Sequence, residues 1–328
     1  MGKLVFKNIR KYIFKTGDKS LNKLFRDEVN TNSKNYFTLE NLAEGNYFYK
    51  YFPLGNAIKC LNDNTMAFVE PSRWNDAYER LFYEADYSLV SSEYQTHPLV
   101  YATCATYVKY NEPAWGIYSG DDKICVQFEI DRPRLRYEII KSLDNGDSVY
   151  EGVVQYATKR RIQRLGKKKN ITKNGNEINN KDYDLFISNN GIPFGIANYL
   201  NLLLLKRQDF HHEQESRFFI VKKEDVDNQT EKAKEDTYEV SDSTGRRSYV
   251  THGKVKILNN IQWIKVLKSI TINAEEKHYA YKLLRDTVNQ MIDREIGDPT
   301  EKAKLKAKLE PVSYLVYGKT PDKITIEK

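Results

Sequence analysis

The segment His211-His212-Glu213-Gln214-Glu215-Ser216-Arg217-Phe218-Phe219-Ile220-Val221 sets two carboxylates and one guanidinium at alternate positions and then turns continuously apolar. In an extended chain side chains alternate with period two, so Glu213, Glu215 and Arg217 are expected on one face of a strand. Carboxylates held together raise each other's pKa, and a neighbouring arginine offsets part of that rise. Such a group suits acid–base or charge-stabilising chemistry. The same residues also suit an ordinary edge strand with a solvated face and one Glu–Arg pair.

A second group lies at Trp74-Asn75-Asp76-Ala77-Tyr78-Glu79. It reads as a turn opening a helix, with Asn75 or Asp76 as the N-cap, and such a loop is also a good place for ligand contacts. Together Asp76, Glu79, Glu213 and Glu215 offer a second chemistry, a nuclease-like centre around a hard cation such as Mg²⁺. A third reading is a non-catalytic module that docks an acidic partner.

Several familiar chemistries find no support. Gly191-Ile192-Pro193-Phe194-Gly195 lacks the Lys-Ser/Thr of a phosphate-binding loop, and no Gly-x-Ser-x-Gly elbow is present. His211 and His212 are adjacent, so on a strand they face opposite ways and make a poor pair of metal ligands; no metal is expected. Cys104, among aromatic neighbours, is expected in the core. Three cysteines without metal-ligand spacing favour a reducing compartment, and no run approaches the ~18 apolar residues that span a bilayer. With no signal-peptide pattern at the start, the expected location is the cytoplasm, with no membrane partner.

The net charge of +7 is concentrated. From Lys159 to Lys181 nine basic residues face one acid, Glu177, and Lys159, Arg160, Arg161, Arg164, Lys167, Lys168 and Lys169 form the dense part of that run. A run of this sign can neutralise several phosphates, which makes a nucleic acid the expected partner; a solvated loop is the alternative.

These groups need a scaffold, and 328 residues with 40% hydrophobic content can build a large core. Aromatic and β-branched enrichment predicts strands over Tyr47–Phe52, Met66–Val69, Tyr101–Tyr107, Ile124–Ile130, Gly152–Tyr156 and Trp263–Ile272. Helices are expected over Asn56–Leu61, Phe194–Lys206, Glu275–Ile296 and Lys302–Leu309. The pattern is α+β, a mixed or antiparallel sheet with flanking helices. Residues 1–44 read as a helical extension, 45–296 as the main domain, and 297–328 as a helix and tail. The main domain carries a basic insertion at 157–190 and a polar hairpin at 222–256.

Taken in order, Tyr49-Lys50-Tyr51, Asn75-Asp76-x-x-Glu79, Cys104-Ala105-Thr106, Trp115-x-x-Tyr118 and Glu213-x-Glu215-x-Arg217 resemble the motif series of an uncharacterised bacterial domain family. Ala77 stands where that family carries proline, and Cys104-Ala105-Thr106 lacks its aromatic. The family in turn resembles a remote branch of the ADP-ribosyltransferase superfamily, including DarT-like toxins that modify DNA. The resemblance implies a sheet of that type, with NAD as substrate and Tyr49 or Tyr51 at the ribose on a strand neighbouring that of Glu215. It further implies Trp115 and Tyr118 near the nicotinamide and Glu215 as the catalytic carboxylate. Glu213 would handle the nucleophile, Lys50 and Arg217 the pyrophosphate, and Asn75, Asp76 and Glu79 ribose or acceptor contacts. A toxin or phage-defence effector acting on RNA or single-stranded DNA, with an antitoxin or inhibitory protein as partner, is the function so implied.

Overall fold

A computed structural model describes residues 9–11, 15–31, 34–39, 45–83, 100–109, 111–119, 124–167, 196–221, 237–241, 247–251, 255–273, 278–307 and 322–325. The strands are β1 (Ile9–Lys11), β2 (Asn35–Leu39), β3 (Tyr47–Pro53), β4 (Met66–Val69), β5 (Val100–Thr106), β6 (Cys125–Asp131), β7 (Ser148–Val153) and β8 (Gln155–Ala157). They continue with β9 (Leu205–Arg207), β10 (Glu215–Val221), β11 (Thr237–Ser241), β12 (Arg247–Thr251), β13 (Val255–Leu258), β14 (Leu267–Asn273) and β15 (Asp322–Thr325).

Eleven of these strands form one sheet in the order β1-β2-β7-β10-β5-β3-β6-β14-β15, with β4 joined to β5 and β13 to β4. Pairing is antiparallel except between β2 and β7. The architecture is α+β, as expected. The helix read in the first 44 residues spans Lys19–Thr31, and the strands around it extend the sheet; at the other end β15 pairs with β14. Residues 237–251 contribute the antiparallel β11–β12 pair. The expected helix over Phe194–Lys206 covers only Ile196–Leu203, because Leu205–Arg207 leaves it to pair with β8.

Local chemistry sets the element boundaries. Asp131 accepts the Arg134 amide and Pro133 follows, so β6 passes directly into the helix Arg132–Ser142. Asn111 caps the short helix Glu112–Ile117 in the same way, again with a proline in the first turn. Asn64, at φ 52°, ends the helix Leu54–Asp63 in the left-handed conformation that asparagine tolerates. On the helix His278–Glu295, Ala280, Leu284, Val288, Met291 and Ile292 are buried, the spacing of a single apolar stripe.

Helices cover both faces. One core gathers Phe25, Leu61, Phe128, Phe218, Trp263 and Leu284 under the helices 19–31, 54–63, 132–142 and 278–295. The other gathers Tyr150, Ile162, Tyr199, Leu203 and Phe219 under the helices 159–167 and 196–203. Neighbouring residues Phe218 and Phe219 serve opposite cores, as period two requires.

The sheet forks at β5. Its partner β10 runs beside it for seven residue pairs, whereas on its other edge β3 meets it only at Tyr49↔Thr106 and β4 only at Val69↔Ala102. Lys50 bridges the opening: its ammonium donates to Thr103 Oγ1 at 3.0 Å and to the Cys104 carbonyl at 2.6 Å.

A fully buried ion cluster ties β7 to the helix 132–142. Glu151 accepts from Arg132 at 2.8 Å, Arg136 at 2.7 Å and the Tyr36 hydroxyl at 2.8 Å. Burial opposes its charge, but Arg136 and Arg132 outweigh that and hold the carboxyl below its usual range. A carboxylate depressed on folding contributes stability above its unfolded pKa, near 4.3, and loses it as pH falls. Glu151→Gln should therefore cost about 3 kcal/mol or more in urea unfolding at pH 7, and the gap to wild type should narrow at pH 4.

Candidate active site

The strand β10 begins at Glu215, not earlier, which corrects the expectation of one extended Glu213–Arg217 run. Gln208–Glu213 form a tight 3-10 turn, and Gln214 takes φ 45°, ψ 57°, a left-handed conformation that costs a non-glycine residue energy. Its surroundings enforce it. The Gln214 carbonyl accepts from the Tyr107 amide and from Thr106 Oγ1, both at 3.2 Å, and its side chain accepts from Tyr107 Oη at 2.5 Å. Asn111 Nδ2 holds the preceding carbonyls of His212 and Glu213 at 2.8 and 3.2 Å.

Glu213 and Glu215 nonetheless converge, on Lys206 from β9. Its ammonium lies 2.7 Å from Glu213 Oε2, 3.0 Å from Glu215 Oε2 and 3.2 Å from Glu79 Oε1. Arg217 completes the cluster, donating from Nε to Glu215 Oε1 at 2.8 Å and from Nη2 to Glu79 Oε2 at 2.5 Å. It also donates to the Leu203 carbonyl and lies 4.2 Å over the Trp74 ring. Tyr156 Oη accepts the Glu215 amide at 3.0 Å, pinning the start of the strand.

Environment separates the two acids. For Glu215 burial opposes ionisation, but Arg217 and Lys206 outweigh it and hold the carboxyl well below the usual range. For Glu213 burial raises the pKa, Lys206 offsets it only in part, and Glu215 adds to the rise. One carboxyl is kept charged while its neighbour is moved toward neutrality, the division seen where two acids take two roles.

The fork in the sheet opens beside these carboxyls as a pocket. About 90 Å³ of room for the centres of water-sized groups lies within some 490 Å³ of empty space that includes open solvent. Tyr49, Lys50 and Tyr51 line it from β3, Cys104, Ala105 and Thr106 from β5, Asn111, Ala114, Ile117 and Tyr118 from the short helix and its flanks, and Glu213 and Glu215 from the far wall. The expectation that Tyr49 and Glu215 sit on neighbouring strands is corrected: β5 lies between their strands, and both residues register on Thr106. Burial lowers the pKa of Lys50, with partial offsets from Cys104, Cys60 and Glu215. Burial also raises the Cys104 thiol, which is unsuited to act as a nucleophile.

The other expected contributors divide. Tyr118 stacks on Tyr51 at 6.2 Å and is 38% exposed, whereas Trp115 packs edge-on behind Tyr51 at 5.1 Å and does not line the pocket. Arg217, 1% exposed and committed to Glu79 and Glu215, is not available to a pyrophosphate. Asp76 caps its helix by accepting the Tyr78 amide and pairs with Arg207, and Asn75 is exposed outside the pocket. In the basic run Lys159 and Arg160 are exposed and Arg161 is half-buried on the helix Lys159–Lys167, which also carries Arg164 and Lys167. Lys168 and Lys169 lie outside the described residues.

The four carboxylates of the Mg²⁺ reading are not gathered around one open position. The Lys206 ammonium stands among the three glutamates, Asp76 is paired elsewhere, and no metal-holding group of His, Cys, Asp and Glu occurs among the described residues. Lys206, Asn111, Gln214 and Tyr156 escaped the sequence reading. Only Lys206 left a signal: the first cation directly after the run Leu202–Leu205, where a charged group that is buried needs a partner.

No protein-family profile, curated protein or solved structure matches this chain. The assignment of chemistry therefore rests on the site itself.

Arg217 makes its bonds from three different nitrogens, which a lysine cannot reproduce. Arg217→Lys should lower stability in urea unfolding by about 3 kcal/mol or more, the scale for breaking a buried pair. Lys306→Gln, which breaks the exposed pair with Asp293, should leave the urea midpoint close to that of wild type.

Proposed function

We propose that the pocket binds NAD and transfers its ADP-ribose to a nucleic acid. The observation that carries this reading is the pair Glu213–Glu215, oppositely perturbed, on one wall of a pocket whose facing wall is aromatic. Cleaving a glycosidic bond to nicotinamide builds positive charge on the sugar carbon, as in glycoside hydrolysis. Glu215, held ionised by Arg217 and Lys206, is fit to stabilise that charge. Glu213, shifted toward neutral pH, is fit to take the proton from the incoming nucleophile. The bond to the nicotinamide nitrogen breaks with its electron pair leaving on the ring, and the nucleophile's lone pair forms the new bond at the same carbon.

The residues fit the substrate in part. Tyr49, Tyr51 and Tyr118 offer faces or edges for a nicotinamide, and Lys50 is the one cation lining the pocket among the described residues, the candidate for a phosphate. A nucleic-acid acceptor, RNA or single-stranded DNA, is supported by the basic run beginning at Lys159, whose helix packs against that of Glu79. The resemblance in motifs is what supports a toxin or phage-defence role, with an antitoxin or inhibitory protein as regulator.

Incubation with labelled NAD and separate pools of DNA, RNA and protein tests the proposal, and label is expected in a nucleic-acid pool. Glu215→Gln should cut NAD consumption about a hundredfold or more. Its folding should be preserved well enough for the comparison, checked by circular dichroism. Unchanged consumption in that variant would remove Glu215 from the chemistry and favour a binding module.

A further inference from the structure

We infer that Lys206 is the positioning residue of this site: its ammonium, delivered by β9 and fixed beside Glu215 by the β8–β9 pair, assigns Glu213 and Glu215 to different tasks. The inference rests on the proposed transferase reading for what those tasks are, but its geometry does not. Lys206 does not line the pocket, so it is not offered as a ligand for the substrate. It reaches the cluster from behind, 10% exposed in its side chain, with the Phe210 ring 5.0 Å from its ammonium.

The short parallel pair β8–β9 makes this placement exact enough to matter. Tyr156 and Lys206 are partners across it, and both grip residue 215. Tyr156 Oη accepts the Glu215 amide at 3.0 Å, and Lys206 donates to the Glu215 carboxylate at 3.0 Å. The same ammonium then reaches Glu213 at 2.7 Å. The cluster contains three carboxylates, Glu79, Glu213 and Glu215, against two cations, Arg217 and Lys206. Arg217 bonds Glu79 and Glu215 but makes no bond to Glu213. Lys206 is thus the cation that decides how far Glu213 moves.

The groups facing Glu213 come from every surrounding element. Lys206 approaches from β9, Glu215 from β10 and Glu79 from the helix 77–83. The phenols of Tyr118 and Tyr156 stand near enough to feel its charge. His211 and His212, on its own turn, are exposed. Burial, Glu215 and Glu79 push its pKa upward, and Lys206 pulls it down. Losing Lys206 therefore raises the pH at which Glu213 gives up its proton.

The test is a ¹³C NMR titration of the glutamate side-chain carboxyls in the full-length protein without substrate, with the Glu213 signal assigned by its loss in Glu213→Gln. K206M should move the Glu213 midpoint upward by about one pH unit or more, and K206R, which keeps the charge, should leave it near wild type. E79Q/K206M removes one charge of each sign and so preserves the cluster's balance; it is the companion should K206M fail to fold, and its midpoint should also rise, by less than in K206M because the upward push of Glu79 is lost with it. NAD turnover by the charge-removing variant should drop about a hundredfold in kcat with little change in KM, and the acid limb of its pH profile should move with the carboxyl. A Glu213 midpoint that stays put in K206M and in E79Q/K206M overturns the inference. A midpoint that moves in a protein whose wild type consumes no NAD overturns the transferase reading instead and leaves the placement of Lys206 standing.

Discussion

Everything at the site depends on keeping five charged side chains out of water at once. Moving an ion from water into a protein interior costs several kcal/mol even after relaxation, and mutual attraction offsets this only with good geometry and satisfied hydrogen bonds. Arg217 meets that demand through a planar fork shared between Glu79 and Glu215, with its remaining nitrogen on the Leu203 carbonyl and its face on Trp74. Lys206, a point charge, donates to Glu213 and Glu215 and stands 3.2 Å from Glu79. The helix 77–83 lies far in sequence from β9 and β10, so the cluster also fixes its position against them. A hydrophobic replacement of similar volume could pack as stably. Stability alone does not explain the cluster, whereas a need for one permanently charged carboxylate at a pocket wall does.

The fork at β5 is the second constraint, and it follows from limited pairing. A strand edge whose neighbours diverge leaves backbone groups without ladder partners, and buried groups of that kind must be satisfied elsewhere. Lys50 supplies a donor to the Cys104 carbonyl, which lets the two halves of the sheet part without an orphaned acceptor. The gap becomes a pocket because the aromatic side of β3 and the charged start of β10 face it together. Lys50 thereby has a structural task as well as a place on the pocket wall, and changes to it will mix the two.

Much of this was legible in the chain. The strands over 47–52, 66–69, 101–107 and 124–130 announce themselves by aromatic and β-branched content, and they end where Pro53 or a polar turn ends them. The carboxylates Glu213 and Glu215 were visible as a motif. What could not be read was set by distant partners. Leu204-Leu205-Lys206 continues a helical-looking run, and only pairing with β8 makes it a strand. The short β2 begins with Asn35 and carries little pattern, yet its parallel contact with β7 places it in the sheet. Strand order is likewise a tertiary fact, which is why Tyr49 and Glu215 were expected one strand too close. Arg217 suits a phosphate by type, but an arginine at the head of an apolar run, two residues after a glutamate, is more economically explained by buried carboxylates nearby.

The single residue that converts a motif into a site is Gln214. Had the chain stayed extended from 213 to 217, Glu213, Glu215 and Arg217 would stand in one row at a spacing of about 6.6 Å. One left-handed residue instead takes Glu213 out of the strand and onto a turn, beyond the reach of Arg217 but within 2.7 Å of Lys206. Glu215 remains at the head of β10 with both cations. The energetic cost of that backbone conformation, on the order of 1 kcal/mol or more, is met by Tyr107 and Thr106, which bond Gln214 itself, and by Asn111, which holds the two carbonyls before it. A local strain, enforced by neighbours, is thus what lets two chemically identical side chains two residues apart hold their protons differently.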